Sequence, residues 1–202
     1  MTHIGHSEKV FIMKRLVIIL ILTFSFQSWT KADDIKDFQI AGMSVGDSLL
    51  NFVGKDKIQS EKFFYDQAKN NKKFAHFDFL VSSNYDKVNV GFINTDTKFE
   101  IKKISGFIWF KNDIKSCLKK KDEIVNSIQS IFSNITVENF KKRKHFADKN
   151  SYTYSSVFYF PGKKPQNSVR VECYDWSKSL TYTDHLNVSI VLSEYDKWLN
   201  EL

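Results

Sequence analysis

Glycine, proline and arginine are all scarce in this chain of 202 residues, which holds seven glycines, two prolines and three arginines. Glycine-rich loops cradle nucleotide phosphates, and the sequence contains no phosphate loop and no dinucleotide fingerprint. It also lacks the G-x-S-x-G turn that presents a serine nucleophile. Arginine reads phosphates and bases through paired hydrogen bonds, so three arginines beside 27 lysines argue against nucleic acid as a partner.

Long apolar runs are rare as well, and the one that stands out is Leu16–Phe26. Lys14 and Arg15 precede it and a polar stretch ending at Ala32 follows it, which is the order of regions in a secretory signal peptide. A transmembrane helix needs about twenty apolar residues, and this run has eleven. We therefore predict export followed by cleavage after Ala32.

These boundaries divide the chain into a signal peptide over residues 13–32 and a single domain over 33–202. Residues 1–12 precede a complete signal with its own methionine, so we interpret them as a mis-set start. The predicted location is the periplasm, with secretion, or a membrane tether if the signal is not cleaved, as alternatives. We predict no permanent membrane anchor after cleavage. The mature part carries 26 basic and 22 acidic residues, a mild net charge of +4.

Only two cysteines are present, Cys117 and Cys173. An even number in an exported chain favours a disulfide, and both residues fall on the apolar sides of predicted elements. We therefore predict a structural Cys117–Cys173 bridge between a helix and a strand. Neither cysteine has a further cysteine or histidine at a ligand spacing, and we predict no metal site and no cofactor.

Hydrophobic periodicity gives the fold class. Apolar residues recur every three to four positions across 113–133, which predicts one long amphipathic helix. Short helices are predicted over 45–52, where Ser44 is the expected N-cap, over 56–62, and over 194–202. Strands are predicted over 74–80, 87–93, 99–110, 152–160, 168–174 and 186–192. This order predicts an α+β fold, in which antiparallel sheet packs on the long helix or two α-βββ repeats pack together.

Three stretches carry a resemblance: DIKDFQIAGMSVGDSLLNF after the signal, VECYDWS, and the closing EYDKWLNEL. They resemble a group of uncharacterised exported bacterial proteins, which implies a periplasmic location and no particular activity. The shorter segment IAGMSVGDSL is similar to the helix start of the SmpA/OmlA type of outer-membrane assembly lipoproteins, which implies a related fold. The chain lacks the lipidated cysteine of that type.

Catalytic motifs are missing from the sequence, and we predict no catalytic residue with a defined role. The one place where acids, an imidazole and an aromatic ring gather is a predicted strand end with Asp175, Asp184 and His185. Carboxylates at such junctions most often bind backbone amides, which leaves a catalytic role there as the minor hypothesis. Phe107 and Trp109 are expected in the core.

A basic cluster is predicted to lie in a loop, formed by Lys141, Lys142, Arg143 and Lys144. It is the predicted contact with an anionic surface. The leading hypothesis for function is a non-catalytic envelope protein that binds another envelope protein or an anionic surface. A small periplasmic enzyme with a dispersed site, and an inhibitor or immunity-type protein, are the alternatives.

Overall fold

The computed structural model describes residues 34–68, 71–79, 84–162 and 164–202. They belong to one compact unit. The predicted mis-set start over 1–12 and the predicted signal peptide over 13–32 lie outside the described residues. Within the described ranges, no helix combines the length and the apolar character that crossing a bilayer requires.

The described chain forms three α-helices and seven strands. The helices are α1 (Lys55–Glu61), α2 (Ile114–Ile131) and α3 (Ser193–Asn200). The strands are β1 (Phe74–Phe79), β2 (Lys87–Ile93), β3 (Ile101–Trp109), β4 (Thr136–Lys144), β5 (Tyr152–Tyr159), β6 (Ser168–Asp175) and β7 (His185–Val191). The α+β class is therefore confirmed, and six of these strands and all three helices match predicted segments.

All seven strands join one antiparallel sheet in the order β1-β2-β3-β7-β6-β5-β4. Two meanders, β1 to β3 and β4 to β7, meet where the last strand pairs with β3. The alternative of two α-βββ repeats is wrong, because the second half contributes four strands to a single shared sheet.

One face of the sheet carries the main hydrophobic core. Side chains alternate along a strand, so every second residue of each strand projects to this face. The amphipathic helix α2 covers it over β6 and β7, and the chain from Ile35 to Ile58 covers the remainder. The buried sheet residues at the centre of this core are Val90, Ile104, Val169, Val171, Val188 and Ile190.

The predicted disulfide is confirmed, since Cys117 of α2 is bonded to Cys173 of β6. Both residues are fully buried. Asp113 begins the helix by accepting a hydrogen bond from the backbone N–H of Ser116 at 3.0 Å. The bridge therefore fixes the first turns of α2 onto the sheet.

A smaller aromatic cluster covers part of the opposite face. Tyr195 and Trp198 of α3 pack on Phe74 of β1, with ring centroids 5.0 Å apart in both pairs. Gly91 of β2 leaves room for α3, since a Cβ at this position would lie 2.9 Å from the ring of Tyr195. This helix covers one end of the face and leaves the rest of it open.

The helix predicted over 45–52 is wrong for most of its length. Only Leu49–Asn51 form a short 3₁₀ helix, and Ser48 is its N-cap. The backbone of 46–49 instead bonds to the start of β3, where Gly46 N–H donates to Ile101 O at 2.9 Å. Gly46 has a φ of +92°, which a helix does not allow. Pairing with the sheet has overridden the local helix signal.

Removing the disulfide is expected to destabilise the protein. In the Cys117→Ala/Cys173→Ala variant, the unfolded chain no longer contains a closed loop of 56 residues. The gain in its conformational entropy lowers the free energy of unfolding by about 4 kcal/mol. Urea unfolding should show this decrease in the free energy of unfolding. Reduced wild-type protein should behave like the variant, and a reductant should leave the variant unchanged. An unaltered urea midpoint in the variant would contradict a stabilising bridge.

Candidate functional site

The open part of the sheet face opposite α2 has a polar floor. The register of the central strands places Ser105 opposite Ser189 and Asn187 opposite Glu172. Because side chains alternate, these residues all project to the face that α2 does not cover. The floor residues are Lys103 and Ser105 of β3, Asn187 and Ser189 of β7, and Arg170 and Glu172 of β6.

A pocket of about 820 Å³ lies over this floor, and we call it the polar pocket. Tyr65 and Tyr195 line it beside α3, together with Leu199 from the end of that helix. Tyr174 and Trp176 line it where β6 ends. The pocket is therefore polar at its base and largely apolar in its walls, which is the composition of small-molecule sites.

Two polar atoms at this floor have no partner among the described residues. Both are buried: Ser105 Oγ neither donates nor accepts a hydrogen bond there, and Asn187 Oδ1 accepts none. A buried polar group without a partner costs about 1–3 kcal/mol. A bound molecule that presents a hydrogen-bond acceptor to Ser105 and a donor to Asn187 would remove that cost.

Lys103 is the buried cation of the pocket, with 8% of its surface exposed. Its Nζ donates to Asn89 Oδ1, and Asn89 Nδ2 donates in turn to Asp78 Oδ1 at 2.7 Å. Asp78 also accepts from Lys87 at 3.2 Å, so its charge is shared. Burial lowers the pKa of Lys103 to about 7, because the ammonium form loses its hydration. Near neutral pH this amine exists in both forms.

The acidic side of the floor is formed by Glu172. Burial raises the pKa of this carboxyl, and Tyr174 donates a hydrogen bond to its Oε2 at 3.3 Å. The neighbouring Arg170 is engaged elsewhere, since it donates to Asp196 of α3 at 2.5 Å. The pocket thus presents an amine and a carboxyl on different strands, with β7 between them.

An imidazole holds α3 in place at the covered end of the face. His76 Nε2 lies 2.7 Å from Tyr195 Oη, and the ring of Tyr65 stacks on His76 with centroids 3.9 Å apart. Burial lowers the pKa of His76 to about 3, so this histidine is neutral under ordinary conditions. Its role is to position Tyr195 at the pocket.

A continuous aromatic surface begins at the other end of the polar pocket. Stacked, tilted and edge contacts link its rings across β3, β7, β6 and the adjoining loops, with centroid separations from 4.6 to 5.9 Å. We call this surface the aromatic platform. It consists of Phe107, Trp109, His145, Phe146, Tyr174, Trp176, Tyr182 and His185.

A second pocket, of about 400 Å³, lies over the platform. It shares Phe107 and Trp176 with the polar pocket, so the two adjoin. The hydroxyl-bearing Thr181 and Thr183 lie around its rings. The open half of the sheet face is therefore one cleft with a polar part and an aromatic part.

Comparisons with protein-family models, curated proteins and solved structures find no match. The chemical groups of the cleft are therefore the basis for inferring its ligand. Among the described residues, no group of three or more histidine, cysteine or acidic side chains could hold a metal ion.

The structure places two members of the predicted cluster, Asp175 and His185, on opposite faces of the sheet. Asp184 is buried, and its Oδ1 accepts the backbone N–H of Trp176 at 2.8 Å, the ordinary role of such a carboxylate. Burial raises the pKa of Asp175, and the nearby charge of Asp184 adds to this effect. Asp175 follows Cys173 by alternation on the α2 face, whereas His185 stacks on Tyr174 on the opposite face. His185 belongs to the aromatic platform.

The predicted basic loop is a strand, which corrects that expectation. Lys141, Lys142, Arg143 and Lys144 are exposed and end β4, the outer strand of the sheet. Pairing with β5 shifts register between Phe140 and Arg143. Lysines and irregularities on an edge strand keep other strands from pairing with it, so the cluster has a structural role in addition to any contact.

The floor of the polar pocket was missed by sequence reasoning. Its residues alternate with buried apolar residues along β7 and β6, and such a pattern predicts a polar face in water. The sequence held only a weak signal for this floor. Polar residues occupy the same face in adjacent strands, and the apolar side of the C-terminal helix needs a surface to pack on. Trp109 was expected in the core, yet it is 39% exposed on the platform.

Replacing the buried lysine by an apolar residue is expected to stabilise the protein. In the unfolded chain the amine of Lys103 binds a proton near pH 10, whereas in the folded protein it binds one only near pH 7. Stability is therefore lost as pH falls from about 10 to 7, by about 1.4 kcal/mol per pH unit. Lys103→Met should remove this slope and raise the free energy of unfolding at pH 7.

Urea unfolding at several pH values measures this effect. Lys87→Met is the matched control, because Lys87 lies on the same face but is partly exposed and paired with Asp78. The control should retain most of the slope between pH 7 and 10, because burial is the largest cause of the lowered pKa of Lys103 and the charge of Lys87 a smaller one. A Lys103→Met variant that is less stable than wild type at pH 7 would show that the lysine supports the fold.

Proposed function

We propose that this protein is an exported, non-catalytic binding protein that holds a small polar ligand in the polar pocket of its sheet. The main support for this proposal is that two buried atoms at the pocket floor, Ser105 Oγ and Asn187 Oδ1, have no hydrogen-bond partner among the described residues. Native proteins leave few such groups, and each one calls for an explanation. Both atoms are closed to solvent in this structure, so a ligand that completes their hydrogen bonds must first displace neighbouring side chains.

The remaining groups of the pocket describe the ligand further. Lys103 and Ser105 offer hydrogen-bond donors, whereas Asn187 and Glu172 offer acceptors. A molecule that both donates and accepts along its length matches this floor better than a simple anion or cation. The aromatic walls match apolar parts of the same molecule.

Export is supported by the sequence of residues 13–32 and by the disulfide. Disulfides persist in oxidising compartments such as the periplasm and are rare in the cytosol. The resemblance of the segment after the signal to exported bacterial proteins agrees with this location. The periplasm is the compartment that we propose.

N-terminal sequencing of the protein from the envelope fraction of its native cells tests the export proposal. The mature chain should begin at or near Asp33, and both cysteines should resist alkylation before reduction. A chain that retains Met13 in a cytosolic fraction, with both thiols free, would contradict export.

Ligand binding is tested with a thermal-shift screen of sugars, amino acids, nucleotides and organic acids against the mature domain. We expect at least one class to raise the melting temperature of wild type. Ser105→Val removes an unpartnered buried hydroxyl, so its stability should stay equal or rise. Its affinity for the same compound should fall about tenfold, the effect of losing one hydrogen bond of about 1.4 kcal/mol.

Ser155→Val is the matched control for this experiment. Ser155 is buried on the same face of the sheet, opposite Glu172, but it does not line the polar pocket. The control should bind like wild type. Equal affinity of Ser105→Val and wild type, or no stabilising compound in any class, would contradict the proposed function.

A further inference from the structure

The aromatic platform exposes more apolar surface than folding alone explains. Phe146 is 87% exposed, Tyr182 63% and Trp109 39%. These rings are linked through Trp176, His185 and His145, so they form one contiguous patch. Contiguous exposed patches of this kind mark binding surfaces.

The position of the platform restricts what it binds. Five of its rings also line the polar pocket, so a ligand can extend from one into the other; they are Phe107, His145, Phe146, Tyr174 and Trp176. Thr181 and Thr183 place hydroxyl groups beside the rings. The occupant must therefore combine flat apolar faces with a rim of hydrogen-bonding groups over the length of the cleft.

Carbohydrate has this combination. A sugar ring presents C–H groups on one face, which pack on aromatic rings, and its hydroxyls donate and accept in the ring plane. The same hydroxyls can accept from Ser105 and donate to Asn187 and Glu172 at the polar floor.

We infer that the ligand is a carbohydrate chain, with one sugar unit in the polar pocket and the following units stacked on Trp109, Trp176 and Tyr182. This inference rests on the proposed function, since it names the ligand class of the same pocket. It adds a second contact region, formed by Trp109 and Tyr182, that lies outside the polar pocket and that the pocket proposal does not need. Two variants can therefore test it separately.

Calorimetric titration with defined oligosaccharides tests the inference. The probes are the one-unit to six-unit series of maltose, cellulose and chitin sugars, and soluble peptidoglycan fragments. Affinity for at least one series should rise from one unit to three or four and then level off. Trp109→Ala and Tyr182→Ala should each weaken the longer chains by about tenfold, the upper range for one aromatic contact, and leave the single unit unchanged.

Phe52→Ala is the matched control, because Phe52 is an aromatic residue, 44% exposed, that lines neither part of the cleft. It should bind every probe like wild type. Ser105→Val should weaken the single unit and the longer chains alike.

The outcomes separate the two proposals. If polar compounds bind in a Ser105-dependent way while no oligosaccharide does, the carbohydrate inference is wrong and the pocket proposal stands. If Trp109→Ala weakens oligosaccharides and Ser105→Val does not, the platform binds sugar and the pocket proposal is wrong. Self-association that Trp109→Ala abolishes, without any sugar binding, would assign the platform to a second copy of the chain and overturn the inference.

Discussion

The alternation of side chains along β3, β7 and β6 is the constraint on which the rest of the structure depends. These strands form the middle of the sheet, and their core-facing positions are valine, isoleucine or leucine except for Gly106 of β3 and Cys173 and Asp175 of β6. That face must be covered, and α2 covers it with a disulfide to β6. The same alternation then sends Lys103, Ser105 and Asn187 to the other face. The hydrophobic core and the polar floor therefore both result from the alternation of apolar and polar residues along these strands.

How far the polar floor is enclosed depends on α3. The helix is short, and its contacts through Tyr195, Asp196 and Trp198 hold it over one end of the face. A longer helix would fill the space above the floor, and no ligand could enter. A missing helix would leave the floor in water, where hydroxyl and amide groups need no partner. The partial cover produces a cleft in which polar groups are dry enough to discriminate between ligands.

Sequence patterns predicted the elements that bury apolar residues and failed where burial was not the cause. The helix α2, six strands and the disulfide follow from periodicity and cysteine count. The strand β4 was missed because its run from Glu138 to Lys144 is polar and basic, and the ladder of β5 rather than its own composition makes it extended. The floor was missed for a related reason: a polar strand face gives the same pattern whether water or a helix lies over it. Only the tertiary position of α3 distinguishes these cases.

The energetics of the two faces bear on why the polar one is retained. A domain of this size is stable by about 5–15 kcal/mol, and two unpaired buried atoms together with a buried amine take a substantial part of that range. Apolar residues at the same positions would extend the small core around Trp198 and Tyr195 at little cost in packing. The floor therefore destabilises the free protein, while the groups responsible are those best placed to hold a ligand. Among the described residues, the remaining buried atom without a partner is His76 Nδ1, under α3 at the covered end of the same face. Stability given up on this face is the pattern expected of a binding site.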